Sequence, residues 1–298
     1  MSFPATPDPL VFAPLTEPGD DARLTHGERV RLALGSKTFV VGAAIVGFWV
    51  ACALFGRALA PENPFATDIL AKLQAPSGAH PFGTDSLGRD VFSRVLAGAR
   101  DILIVAPLAT LLGTALGTTL GLVAGYFRGV VDDVLMRAVD AFLAVPVVIL
   151  GLLALVALGP SRLTVVAVIG IVFTPLIART VRAAVLAERE LEYVEAARLR
   201  NERAPYVMFA EILPNVFAPV LVEFTVRLGY AIFTIATLSF LGLGVPPPAP
   251  DWGVQVFDHY SLISSGYWWP VLFPSLAIAS LVVGVNLVAD GLTQAFRR

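Results

Sequence analysis

Six long apolar runs, separated by short polar stretches, set the pattern of this chain. They cover approximately residues 38–59, 101–126, 134–158, 163–187, 215–243 and 269–290, and each reaches the roughly 20 apolar residues that a helix needs to cross bilayer hydrocarbon. The pattern predicts an all-α integral membrane protein with six transmembrane helices and both termini on one side.

One polar stretch breaks the rhythm. Between the fourth and fifth runs lies EYVEAARLRNERAPYVMFAEILPN, from Glu192 to Asn215. Its helix formers, with Tyr193, Ala197 and Arg200 spaced along one face, predict a short helix outside the hydrocarbon. Asn201 is the natural stop, because Asn tolerates the left-handed region. Pro205 suits the first position of a second helix, expected over 206–213, and Pro214 is expected to end it and open the next span. A helix, a turn and a helix should therefore protrude from the membrane.

These residues resemble a known pattern: Glu195, Ala196 and Ala197, a turn residue at Asn201, then Ile212, Leu213 and Pro214. The stretch is similar to the EAA loop of ABC-importer permeases, the coupling helices that dock on a cytoplasmic ATPase; that family usually has Gly where this chain has Asn201. HPFGTDSLGRDVFSRVLAGAR, from His80, and LSFLGLGVPPPAPDWG, from Leu238, resemble the dipeptide, oligopeptide and nickel permeases of the DppC or OppC type. The resemblance covers about residue 37 to the C-terminus. It implies a type I ABC-importer permease fold with cytoplasmic coupling helices in a loop at 192–214, in a bacterial inner (plasma) membrane. It also implies a second permease subunit, two ATPase domains that bind ATP and Mg, an extracytoplasmic substrate-binding protein, and import of short peptides, nickel or another small solute.

Arg and Lys fix the expected orientation. Arg23, Arg29, Arg31 and Lys37, then Arg128 and Arg137, then Arg179 to Arg203, and finally Arg297 and Arg298 lie on one set of loops, so the positive-inside rule puts both termini and the polar island in the cytoplasm. Residues 1–36, with several prolines and Asp8, Glu17, Asp20 and Asp21, read as a mobile tail preceding a permease domain at 37–298. In the first outer loop, residues 60–100, spacing predicts a short interfacial helix near 90–99, with Arg89 and Arg94 reaching headgroups. The last outer loop, with Pro246, Pro247, Pro248 and Pro250, is expected to be extended, and Tyr267, Trp268 and Trp269 to mark the outer interface.

Two features inside the spans carry expectations of their own. Gly113, Gly117, Gly121 and Gly125 form a stripe with one glycine every four residues, which permits close helix packing within this subunit or against a partner permease. Glu223 and Arg227, at i and i+4 with the acid first, have the favourable order for an ion pair on one helix face. They either neutralise each other at a buried contact or line the translocation path.

Composition agrees with the pattern and excludes other chemistry. Apolar residues make up 56% of the chain, charged residues 15%, and mean hydropathy is +0.77. A net charge of −2 leaves no footprint for nucleic acid. The single Cys52 allows no intrachain disulfide. Gly35, Ser36, Lys37 and Thr38 lack the order of a phosphate-binding loop, so no ATP site and no cofactor is expected in this chain. No catalytic constellation appears. His26, His80 and His259 lack metal-ligand spacing and are expected to be solvated. Asp132, Asp133 and Asp140 read as a helix N-terminus and an interior polar contact. A stand-alone secondary transporter would need internal repeats, which the sequence lacks; a membrane scaffold would not need the coupling island.

Overall fold

The computed structural model describes residues 36–246 and 248–296. In chain order the helices are α1 (Lys37–Leu59), α2 (Val91–Phe127), α3 (Gly129–Leu143), α4 (Val147–Leu158), α5 (Arg162–Glu188), α6 (Glu192–Leu199), α7 (Ala204–Leu243), α8 (Trp252–His259) and α9 (Trp269–Phe296). The expectation for the tail falls on residues outside the described ones, as do Pro247, Arg297 and Arg298.

Helices α1, α2, α5, α7 and α9 are each long and apolar enough to cross a bilayer. The third expected span is not one straight helix. Helices α3 and α4 meet at 83° and make a sixth span only as a bent pair. Pro146 is the residue immediately before α4; it has no N–H to continue α3 and biases Val145 away from helical geometry.

The expected interfacial helix near 90–99 is the outer end of α2, which runs unbroken for 37 residues. Its start is fixed by Asp90, whose carboxylate accepts from the Ser93 backbone N–H at 2.8 Å and the Ser93 hydroxyl at 2.7 Å. Arg89 and Arg94 do not extend to headgroups. Arg89 donates to Asp85 at 2.6 Å, and the buried Arg94 donates to the Pro64 carbonyl at 3.0 Å, holding the first outer loop on α2.

The loop between α7 and α9 is less extended than its prolines predict, because Asp251 caps α8 through the Val254 N–H. Burial raises the Asp251 pKa above the ordinary carboxylate value. Trp252 then donates to the Val95 carbonyl at 2.9 Å and meets Trp49 edge-on at 4.8 Å between centroids. Of the expected aromatic belt, Trp268 is exposed, whereas Trp269 is buried and donates to the Thr84 carbonyl at 3.0 Å. The loops that follow α1 and α7 thus form one hydrogen-bonded layer over α1, α2 and α9.

The most extensive helix pair is α2 against α5, and the glycine stripe lies on that seam. A Cβ on Gly113 would sit 2.8 Å from the Gly170 carbonyl oxygen, on Gly117 2.7 Å from Ile177 Cβ, on Gly121 2.8 Å from the Ala178 carbonyl oxygen, and on Gly125 2.7 Å from a Val185 methyl. Side chains at these positions would push the backbones apart. Gly117→Val should therefore cost about 1–3 kcal/mol and lower the melting temperature of the detergent-purified protein. Gly47→Val, on α1 with open space around the glycine, should leave it unchanged; equal melting of the two variants would refute a tight seam.

Helix α7 corrects the expected stop at Pro214. The chain stays helical through Pro214 because the turns Val207–Ile212 are widened to a π-helix. The wider ring moves the preceding carbonyls off the path of the proline ring, and the Asn215 side chain donates to the Glu211 carbonyl at 2.8 Å. The second helix of the island and the fifth span are one element.

Candidate functional site

Helix α6 begins with Glu192 and Glu195 in its first turn, where negative charge is favoured by the helix dipole. Its inner face buries Val194 and Ala197 completely, in the core cluster that also holds Val207, Met208 and Ile212 of α7. Glu195 and Ala196 face outward, as do Arg198 and Leu199, the last 78% exposed. On α7, Ile212 is buried, Leu213 half-buried and Pro214 exposed.

The helix ends at Asn201, whose φ is 57°. The Asn201 N–H donates to the Arg198 carbonyl at 2.9 Å, and the Glu202 N–H reaches the Ala197 carbonyl at 3.2 Å. This pair of bonds is a Schellman closure, which requires the left-handed residue. Arg200 then lies 3.7 Å from Glu202 and 3.4 Å from Glu211, bracing the turn against α7.

The island is fastened to the near end of α2 by residues that the sequence pattern did not single out for this role. Arg189 donates to the carbonyl of Gly125 at 3.2 Å and to that of Tyr126, satisfying acceptors that a helix C-terminus leaves open. Arg128, at the α2–α3 corner with φ of 53°, pairs with Glu190 at 2.8 Å. The Arg198 guanidinium sits 5.0 Å from the centre of the Tyr126 ring. Burial, reinforced by the positive charges of Arg128 and Arg198, lowers the Arg189 pKa. Tyr193 donates to Glu188 at 2.9 Å, and burial together with that carboxylate pushes its pKa up to about 12. The excess of arginines at this level was the available signal; which carbonyl or ring each one meets depends on tertiary geometry.

Asp132, in the first turn of α3, pairs with Arg182 of α5 through both carboxylate oxygens. Asp140 is exposed and lies 3.9 Å from Arg179. On α7, Arg227 donates to Glu223 at 2.6 Å, and its guanidinium lies 5.5 Å from the Tyr230 ring centre. Both charged side chains are largely buried, while Tyr230 is 55% exposed.

The two described histidines are not solvated. His80 shares hydrogen with Asp90 at 3.2 Å and lies 3.6 Å from Glu62. His259 is fully buried, within 2.7 Å of the Gln255 carbonyl and 3.1 Å of the Ser86 hydroxyl. Both serve to hold the outer loops together. Among the described residues no group of three or more His, Cys, Asp or Glu side chains could hold a metal ion.

The long apolar helices, the short helix and turn between α5 and α7, and the glycine-lined seam make an all-α membrane protein whose fold is that of a type I ABC-importer permease. Residues 117–298 match the family described as binding-protein-dependent transport system inner membrane component, and the chain belongs to that family. The dipeptide transport system permease protein DppC of Escherichia coli is 41% identical over 267 residues, spanning 87% of this chain and 88% of the relative. DppC of Alkalihalophilus pseudofirmus is 38% identical over 260 residues, 87% of this chain and 85% of the relative. The glutathione transport system permease protein GsiD of Pectobacterium atrosepticum is 38% identical over 268 residues, 90% and 87% of the two chains. The fold is similar to that of the MetNI methionine ABC transporter in inward-facing conformations, with a TM-score of 0.56 and 18% identity, covering 69% of this chain and 97% of the other.

The positive φ at position 201 gives a direct test. Asn201→Gly should keep the turn at least as stable, whereas Asn201→Val should destabilise it by about 1 kcal/mol or more, since β-branched residues resist this region. Limited proteolysis between α6 and α7 would read the difference; equal cleavage of both variants would count against the Schellman closure.

Proposed function

We propose that this chain is one of two membrane subunits of an ATP-driven importer of short peptides in the bacterial inner membrane. The observation that carries the peptide assignment is similarity over nearly the whole chain to dipeptide permeases, at 38% and 41% identity. The partners are a second permease, two ATPase domains and an extracytoplasmic binding protein. ATP and Mg belong to the ATPases, and this chain performs no hydrolysis. Both termini and the α6 island face the cytoplasm, in line with the positive-inside rule.

The island supplies the coupling. Glu195, Ala196 and Leu199 form its outward face, and Ala197, Asn201, Ile212, Leu213 and Pro214 hold the frame behind that face. When the ATPases close, the island moves as a rigid body with the ends of α2 and α5, and the path between the two permeases changes the side on which it opens. Glu223 and Arg227 lie on the face of α7 that lines this path, where water lowers the cost of charge and the pair meets the charged ends of a peptide. The partly open position of Tyr230 beside Arg227 supports this assignment.

Two experiments test the reading. Glu195→Arg places a cation against the basic ATPase groove that the family resemblance implies, and like charges across an interface cost several kcal/mol. The variant should fold in detergent yet lose substrate-stimulated ATP hydrolysis or fail to assemble; normal coupled transport would refute the coupling role. For the path, Glu223→Gln with Arg227→Gln should assemble and transport poorly. Arg227→Cys, in a Cys52→Ala background, should react with a water-soluble thiol reagent. A cysteine at that position that stays unlabelled in both resting and ATP-trapped states would remove the pair from the path.

A further inference from the structure

A cavity of about 460 Å³ opens beside the outer ends of α1 and α2, under the loop that follows α7. Its lining includes the charged Arg100, Asp101 and Arg162 and the apolar Leu54, Phe65 and Ile104. Arg162 contacts Asp101 at 2.6 Å, yet its side chain remains 59% exposed, with guanidinium N–H groups left to donate. Arg100 is exposed at the same rim. Two arginines against one aspartate leave the rim positive.

Depth along the helices identifies the layer in which this rim sits. Asp101 lies 26 residues before Phe127, the last residue of α2, and Arg162 lies 26 residues before Glu188, the last of α5. At 1.5 Å per residue both distances are about 39 Å, or roughly 37 Å at an ordinary tilt of about 20°. The hydrocarbon is about 30 Å thick and the bilayer with headgroups about 40–45 Å. With the charged residues Arg128 and Arg189 marking the opposite boundary, Arg100 and Arg162 fall in the outer headgroup layer. Leu54 and Ile104, 72% and 44% exposed, supply apolar surface to the same cavity.

We propose that this cavity binds an anionic phospholipid, with the phosphate between Arg100 and Arg162 and the upper acyl chain against Leu54 and Ile104. A soluble anion would use the arginines but leave the exposed apolar wall unexplained. The amphiphile uses both. The site is separate from the transport reading, because it needs neither Glu223 and Arg227 nor the α6 island.

The test uses the assembled transporter purified in neutral detergent, with phosphatidylglycerol or phosphatidylcholine added and retained lipid counted by native mass spectrometry. Phosphatidylglycerol should be retained in preference, and Arg100→Ala should weaken its retention about fivefold, the worth of one arginine beside an anionic headgroup. Arg100→Lys should keep most of it. Equal retention of the two lipids, or unchanged retention in a folded Arg100→Ala variant, would overturn the proposal. Displacement of the lipid by inorganic phosphate or by a short peptide would also overturn it, in favour of a soluble anion. Independently of any variant, a headgroup-photoreactive phosphatidylglycerol should crosslink the unaltered protein within 97–104; adducts confined to other segments would reject the site.

Discussion

Close approach of α2 to α5 is the constraint on which the remaining geometry depends. Lipid tails are as apolar as leucine, so these helices gain little from hydrophobic burial and must be held by contact itself. At Gly113 and Gly170 the contact is backbone against backbone: a Cβ on the first would meet the carbonyl of the second at 2.8 Å, and a Cβ on the second would meet the Ala109 carbonyl at 3.0 Å. The seam is closed by charges at both ends. Asp101 meets Arg162 at one end, and Arg182 with Asp132 and Arg189 with the last α2 carbonyls bind the other. Two helices so fastened pack together along their length as one bar.

The island gains its mechanical meaning from that bar. Helix α6 is too short to be stable alone, and Val194 and Ala197 tie it to the core while Arg198 rests on Tyr126. Force applied to its outward face reaches α2 and α5 through buried contacts and charge-assisted hydrogen bonds rather than through a loose loop. It also reaches α7 without interruption, since the widened turns at Val207–Ile212 carry the helix past Pro214. A stop at Pro214 would have separated the island from the fifth span.

What the sequence made legible was whatever depends on periodicity and local backbone chemistry. The apolar runs marked the spans, Asn201 marked a left-handed residue, and the order of Glu223 and Arg227 marked a pair. Continuity was harder to read. Pro146 and Pro214 have the same local chemistry, yet one separates two helices at 83° and the other follows a π-helical stretch inside a continuous helix. The outer end of α2 looked like a separate helix because Arg89 and Arg94 mimic an interfacial edge; their real partners, Asp85 and Pro64, belong to a loop whose path no local pattern encodes. His80 and His259 read as solvated, and Trp269 as an interface marker, for the same reason. Their burial is created by loops folding over one another.

The ion pairs divide into two kinds, those that join different helices and those that close on one helix. Asp101 with Arg162 and Asp132 with Arg182 join different helices, so separating those helices would break both ion pairs. Such pairs lock α2, α3 and α5 into a unit. Glu223 and Arg227 lie on one helix and satisfy each other at 2.6 Å whatever stands opposite. Their neighbour Tyr230, also on α7, travels with them. An element that must face different surroundings in two states needs its charges compensated in both, and an i, i+4 pair meets that requirement through the geometry of the helix alone. The cross-helix pairs therefore belong to the bar, and the self-contained pair leaves α7 with its charges compensated on one helix.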